Sequence, residues 1–304
     1  MLLILTKSND LSSHKVIRYL HKSIDFIRIN DDQHIDVWLN GLSDLRIRID
    51  GISLIKGENI SKIWYRTGKI FTGGVHSNPI VDNINKREEY FFKEYLIFLL
   101  ENRFDILGSI SQEFNLNKLN VLSMAHSNGL RIPFSVVTNH KNISIEKDRF
   151  FVKTVSNIPP FTYKGFRYAP IYELLTASDY SDNSVSFFQE YVNKKFEIRS
   201  FFLYGEIYSM AIFSQNDPDT RYDFRNYNLT RPNRNVPFKL PIGITRKISA
   251  LMRQLKLNTG SIDFIYSDTN QFVFLEINPS GQFDWLSVNC NDFEGLGKSR
   301  LQTA

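Results

Sequence analysis

Hydrophobic and polar positions change period several times along the chain, and each change marks an element. The apolar run 2–5 predicts a short buried strand, the loop Lys7-Ser8-Asn9-Asp10 leads into a helix around 13–21, and 24–29 predicts a second strand. Strict alternation over 44–50, then Gly51 and the run 52–55, predicts a half-exposed hairpin; Ile63-Trp64-Tyr65-Arg66 predicts a buried strand ending in a cation that could line a cleft. From 82 to 102 the period becomes helical, with Tyr90, Phe91, Tyr95, Phe98 and Leu99 on an apolar stripe suited to a core or a homodimer interface. A further helix spans 115–128, carrying Leu116, Leu119, Leu122 and Met124, with Lys118 near its start and Gly129 as its C-cap.

Beyond Gly129 the pattern is dominated by strands. Runs at 134–138, 150–155 and 186–192 read as buried strands, the second enclosing Lys153 and the third ending in Gln189-Glu190-Tyr191-Val192. A lysine inside so apolar a strand calls for an anionic partner, and a phosphate is a natural one. Between them, 156–170 is rich in proline and aromatic residues with a single glycine, and reads as a loop over a site. Strands 196–204 and 207–213 form a hairpin turning at Gly205-Glu206, with Glu197 and Arg199 on one face. Thr245 is the expected cap of an amphipathic helix with Ile248, Leu251, Met252 and Leu255 inward, and Gly260 is expected to separate it from a last hairpin. The strand-helix-strand opening predicts a small parallel layer, but no glycine-rich fingerprint follows the first strand, which excludes a Rossmann dinucleotide site there. The expected fold class is α/β with α+β character, the first domain covering 1–112 and the second 113–304.

The last hairpin concentrates the chemistry. Two aromatic and β-branched runs, Ser261–Tyr266 and Gln271–Pro279, flank the turn Ser267-Asp268-Thr269-Asn270. With Tyr266 opposite Gln271, Asp263 falls opposite Phe274, Glu276 is its diagonal neighbour, and Asn278 lies two residues further on the same face. Two carboxylates and an amide oxygen among Phe, Ile and Leu are costly without compensation, so a hard cation, Mg²⁺ with bound phosphates, is the expected occupant.

Composition narrows the classes. One cysteine, Cys290, excludes an internal disulfide framework and multi-cysteine metal sites, and fits a cytoplasmic protein; no apolar run is long enough for a membrane span. All six histidines precede the second half of the chain, which disfavours triads and zinc hydrolases near Asp263 and Glu276. The net charge of +5 is uneven: 221–256 holds nine Lys or Arg and one acid, Asp223, so this stretch faces an anionic partner. No nucleic-acid-binding motif accompanies it, and an acidic peptide or nucleotide phosphate is the better match.

In order, Lys118, Lys153, Gln-Glu-Tyr-Val, Glu197-Ile198-Arg199, Arg221, Asp263, Glu276 and Asn278 resemble the ATP-grasp ligases. That resemblance implies an ATP-grasp fold behind an N-terminal Rossmann-like domain, with a central part about 113–190 and a C-terminal part about 191–304. By it, Lys118 and Lys153 contact ATP phosphates, Glu190, Tyr191 and Val192 the adenine, Glu197 the ribose, and Asp263, Glu276 and Asn278 hold Mg²⁺. Arg199 and Arg221 stabilise the transferring phosphate, and Asp223 is a candidate general base. Two departures stand out: Glu197 replaces a common Asp, and the phosphate-covering loop is poor in glycine. Further, Trp64-Tyr65-Arg66, Arg221 to Tyr227, and Glu276 to Leu286 resemble the graspetide synthetases, the microviridin-type macrocyclising branch. The implied activity is phosphorylation of an Asp or Glu side chain of a ribosomal precursor peptide, leader plus core, then ring closure by Ser, Thr or Lys. A ligase adding an amino acid to a peptide, and a non-catalytic nucleotide or peptide carrier, are the alternatives.

Overall fold

The computed structural model describes residues 1–20, 24–140, 142–146, 148–156, 161–168, 173–174, 179–181, 185–217, 220–222, 224 and 232–289. They divide into two compact units. One comprises Met1–Asn115, Lys256–Gly260 and the described residues from Pro279 on; the other comprises Leu116–Leu255 and Ser261–Asn278.

The first unit runs β1 (Leu2–Thr6), α1 (Leu11–Leu20), β2 (Phe26–Asn30), β3 (Ile35–Asn40), β4 (Asp44–Ile49), β5 (Ser53–Lys56), β6 (Lys62–Tyr65), α2 (Pro79–Arg103), β7 (Asp105–Leu107) and α3 (Ile110–Asn115). Strands β2, β1, β6 and β7 form, in that order, a sheet in which every pair is parallel. Such sheets are covered on both faces, which is why β1 reads as a continuous apolar run and all five of its residues are buried. Strands β3, β4 and β5 form an antiparallel sheet whose alternation sends Leu45, Ile47 and Ile49 into the same core. The sequence pattern did not distinguish β3, β7 or α3.

Helix α2 is punctuated as its sequence dictates: the Asn78 side chain accepts from the Ile80 and Val81 N–H groups at 2.9 and 3.3 Å, with Pro79 at the first helical position. Its core stripe is Leu96, Ile97 and Leu100, not the aromatic set; Tyr90, Phe91 and Phe98 are 56–60% exposed. Arg66, which at a strand end could be a surface charge or line a cleft, is buried. It pairs with Asp10 (3.3 Å), donates to the Gly281 carbonyl (3.2 Å) and lies over the Phe283 ring (5.1 Å).

The second unit contains α4 (Lys118–Ser127), β8 (Ser135–Thr138), β9 (Asn142–Ser144), β10 (Phe150–Lys153), β11 (Phe161–Tyr163), β12 (Phe166–Tyr168), β13 (Glu173–Leu174), β14 (Asp179–Ser181), β15 (Ser186–Glu190), β16 (Lys194–Leu203), β17 (Glu206–Phe213), β18 (Arg234–Phe238), α5 (Ile242–Gln254), β19 (Thr259–Ser267) and β20 (Phe272–Asn278). Its two main sheets have the orders β13-β10-β15-β8 and β18-β17-β16-β19-β20. A short α6 (Asp284–Asn289) belongs to the first unit, where Asp284 accepts from Ser12 (3.0 Å) and Lys15 (2.8 Å).

Three local expectations are corrected. The loop expected at 156–170 contains the β11–β12 hairpin, turned at Lys164-Gly165 with φ of 49° and 80°; residues 157–160 and 169–170 lie outside the described set. Pro241, not Thr245, is the residue preceding α5; the Thr245 hydroxyl bonds back to the Ile242 carbonyl at 3.0 Å inside the first turn. Gly260 lies within β19 rather than before it.

Candidate active site

Strands β19 and β20 place the acidic residues. The turn 267–270 is closed by the Asn270 N–H on the Ser267 carbonyl (3.0 Å) and by the Ser267 N–H on the Gln271 carbonyl (2.9 Å). Tyr266 therefore pairs with Phe272, one step away from the register expected from sequence. Between Asp263 and Phe264 the register shifts: Phe264 pairs with Phe274 while Asp263 pairs with Glu276, leaving Leu275 as the extra residue of a bulge. Asp263 and Glu276 are thus direct cross-strand partners rather than diagonal neighbours, and Asn278 is opposite Ser261. The bulge follows from side-chain demands: Phe264 and Phe274 are both fully buried with ring centroids 5.6 Å apart, and one extra residue lets the chain pass from that contact to the carboxylate pair.

Directly opposed carboxylates repel. Arg199 offsets this repulsion: its Nη1 donates to Asp263 Oδ2 at 2.6 Å and Oδ1 at 2.9 Å, and its Nε is buried with no hydrogen-bond partner. Glu197, two residues earlier on β16, is buried; its Oε1 accepts from Lys194 Nζ and from Ser214 Oγ (3.2 Å). Lys194 also donates to the Tyr222 carbonyl at 3.1 Å. The face of β16 holding Glu197 and Arg199 is therefore buried and ion-paired, not solvent-exposed as its alternation alone would permit.

Lys153, at the end of β10, donates to Gln189 Oε1 on β15 at 2.5 Å. A cavity lined by Phe151, Lys153, Tyr191, Val192, Glu197 and the Asp263–Glu276 pair, among others, adjoins a second lined by Lys118, Lys153, Glu276 and Asn278; Lys153, Gln189, Leu275 and Glu276 border both. Phe151, Tyr191 and Tyr222 form an edge-on aromatic trio with centroids 5.5–6.0 Å apart at its rim. Burial raises the Tyr191 hydroxyl pKa above its ordinary value, against the Arg221 charge, so the phenol stays neutral. The Glu190 side chain is committed to Arg149 (3.2 Å), while its backbone N–H reaches the Phe134 carbonyl and that of Tyr191 the Arg149 carbonyl.

The structure thus gathers Lys118, Lys153, Glu190, Tyr191, Val192, Glu197, Asp263, Glu276 and Asn278 around adjoining cavities, with Arg199 attached through Asp263. Arg221 is exposed, its carbonyl accepting from Gln215 at 3.0 Å. Asp223, residues 225–227 and Cys290 lie outside the described residues. Sequence reasoning named Gln189 and Tyr222 only as members of motifs, and passed over Lys194, Phe151 and Leu275. Lys194 alone had a visible signal, a lysine opening an apolar strand three residues before an acid.

Among the described residues no group of three or more His, Cys, Asp or Glu converges; the donors available at the bulge are two carboxylates and an amide oxygen. That hard-oxygen set suits Mg²⁺ and not zinc. The Arg199 guanidinium lies on Asp263 and supplies positive charge at the pair.

Aligned over 100% of both chains, the structure is similar to the macrocyclase MdnC bound with precursor peptide MdnA from Microcystis aeruginosa MRC, with a TM-score of 0.76 and 22% identity. It aligns over 96% of each chain with the Chryseobacterium gregarium RiPP-associated ATP-grasp ligase in complex with ADP and a leader and core peptide (TM-score 0.73, 20% identity). The fold is that of the ATP-grasp ligases. The ATP-grasp ligase PsnB complexed with minimal precursor also aligns, over 95% of this chain and 94% of its own, with a TM-score of 0.68 at 13% identity. No protein-family model and no curated protein matches the sequence. On this ATP-grasp fold, the β10, β15, β16, β19 and β20 side chains above are those that meet around the cavities.

Proposed function

We propose that the protein is an ATP-dependent carboxylate ligase that closes rings in a ribosomally made precursor peptide. The observation that carries this reading is the bulge that brings Asp263 and Glu276 together beside Lys153 and Arg199, on a fold shared with MdnC, PsnB and the Chryseobacterium ligase. Solved complexes of those proteins contain precursor peptides, ADP and Mg.

In this reading Asp263, Glu276 and Asn278 hold Mg²⁺, which when bound neutralises charge on the transferring phosphate. Lys118 and Lys153 position the phosphates, Glu190, Tyr191 and Val192 face the base, and Glu197, fixed by Lys194 and Ser214, faces the ribose. A substrate Asp or Glu carboxylate attacks the γ-phosphorus, giving an acyl-phosphate and ADP, with Arg199 and Arg221 offsetting the charge. A Ser or Thr hydroxyl, or a Lys amine, then attacks the acyl carbon and expels phosphate, forming an ω-ester or ω-amide, with Asp223 as a candidate base. The chain's contribution is alignment and charge neutralisation rather than a covalent nucleophile. Residues 1–112 are read as the N-terminal domain and 113–304 as the ligase domain, divided at about residue 190.

Intact mass of the small peptide encoded beside the gene, after incubation with enzyme, Mg²⁺ and ATP, tests this. Loss of one or more waters coupled to ADP release is expected. Addition of an amino acid would establish the intermolecular ligase instead, and a full-length precursor with no mass change and no ADP would leave a carrier. Glu276→Gln should abolish ADP release with the fold intact, and unchanged release would remove the metal assignment.

A further inference from the structure

The first unit contains a cleft that the chemistry above does not use. In the sheet order β2-β1-β6-β7, the chain leaves β1 for β2 on one side and later returns to β6 on the other, so β1 and β6 flank the topological switch point. In open parallel sheets the crevice outside the carboxyl ends of the strands at that point is the place where ligands bind. A cleft of about 420 Å³ lies there, bordered by Lys7 after β1, Asp31 after β2, and Thr67, Gly68 and Lys69 after β6, with α2 supplying Lys93. Gly68 has φ of 119°, and a Cβ at that position would stand 2.7 Å from the Thr6 carbonyl oxygen. The β6 loop can close against the end of β1 in this way only with glycine.

The charges lining the cleft are unequally satisfied. Glu89 accepts from the Gly74 N–H (2.6 Å), Glu113 from Ser280 Oγ (2.6 Å) and Asp31 from the Ser8 N–H (3.4 Å). Lys7, Lys69 and Lys93, by contrast, make no ion pair within 4 Å among the described residues. Lys93 is half-buried with its Nζ over the Phe114 ring, and burial lowers its pKa from the ordinary lysine value. A partly desolvated ammonium that lies over a ring, feels the charge of Glu94 and makes no ion pair among the described residues gains from an anion. The three lysines come from three separate elements, a spread that suits an extended chain bearing several carboxylates better than one compact phosphate.

We propose that this cleft binds a carboxylate-bearing segment of the peptide substrate, with Lys7, Lys69 and Lys93 as its anion-binding groups. That the anion belongs to a peptide rests on the ligase reading; that the cleft takes carboxylates rests on the geometry alone.

The test is fluorescence anisotropy with the full chain, without nucleotide, using a labelled eight-residue peptide of alternating Thr and Glu and its Thr-Gln counterpart. The Glu peptide should bind, more weakly as salt rises, and the Gln peptide at least tenfold more weakly. Lys69→Met and Lys93→Met should each weaken binding about tenfold, the loss of one charge-assisted contact. Lys69→Arg should retain it, which separates lost charge from lost fold. The binding assay contains neither ATP nor Mg²⁺ and reads only the cleft's lysines, so a failure of the ligase reading in the mass assay is distinguishable from a failure here. Equal binding of the Gln peptide, unaltered binding by both methionine variants, or full displacement by millimolar inorganic phosphate would each overturn the proposal, the last by making the site one for free phosphate.

Discussion

The Arg199–Asp263 pair offers the sharpest test of the site's electrostatics. Both side chains are about a tenth exposed, 11% and 12%, and two contacts of 2.6 and 2.9 Å join them. At that burial, removing one partner costs about 3–5 kcal/mol, because the other charge is left uncompensated. Asp263→Asn strands a guanidinium whose Nε already lacks a partner, and Arg199→Met leaves Asp263 facing Glu276. The double variant removes both charges and should recover at least about 2 kcal/mol of the summed loss. The assay must report on the second unit: Trp38, Trp64 and Trp285 all lie in the first, so their fluorescence serves as an internal control. Amide hydrogen exchange of β16 and β19 is the readout, and each single variant should accelerate it by roughly a hundred- to a thousand-fold or more. Mg²⁺ should restore protection in Arg199→Met more than in wild type, by about 1.4 kcal/mol for each tenfold excess over its dissociation constant. Single variants within threefold of wild type, or a double variant equal to the sum, would refute the coupling.

Long periodic segments were legible because burial imposes their period directly. The apolar run of β1, the alternation of β4 and the helical spacing of α2 and α5 all appear where the pattern put them. Which stripe of α2 faces inward was not legible: Tyr90, Phe91 and Phe98 are as apolar as Leu96, Ile97 and Leu100, and only the position of the sheets decides between them. β7 carries too few residues to show a period, and β3, as long as β4, loses its alternation in the run Val37-Trp38-Leu39; both pair with neighbours whose own patterns are clearer.

The site shows the same division. Asp263, Glu276 and Asn278 stood out because polar residues inside apolar strands need partners. Their mutual placement did not, since counting back from the turn assumes an unbroken ladder, and a bulge at Leu275 is a tertiary accommodation of the Phe264–Phe274 contact. Arg66 failed for a related reason: a cation at a strand end reads the same whether it meets solvent or, as here, Asp10, Gly281 and Phe283. Two of the motifs that carried the family resemblance, Trp64-Tyr65-Arg66 and the segment through Phe283, are thus joined by a structural clamp within the first unit.

The remaining predictions concern the first unit. A two-fold antiparallel packing of α2 centred on Phe91 would set Ile84 of one copy against Phe98 of the other, covering residues now exposed. Sedimentation velocity should show a dimer at micromolar concentration that Phe91→Glu converts to monomer, and a wild-type monomer would dismiss it. The Asp10–Arg66 pair carries a pH signature. Burial pushes the Asp10 carboxyl upward, but the Arg66 charge and hydrogen bonds from Arg66 and Ser13 outweigh it and hold the pKa below 3.8. A carboxylate depressed in the folded state stabilises above its unfolded pKa and loses that stability as pH falls through the folded value. With side chains only 5% and 9% exposed, Asp10→Asn should cost about 3–5 kcal/mol near pH 7, read by Trp64 fluorescence in urea. The gap between wild type and variant should hold down to about pH 5 and narrow progressively as pH falls below about 4 toward the depressed folded value, because protonated Asp10 resembles the amide while Arg66 stays charged. A gap that persists unchanged to pH 3, or one under 1 kcal/mol at pH 7, would mean that the clamp on Arg66 is held by Gly281 and Phe283 without the ion pair.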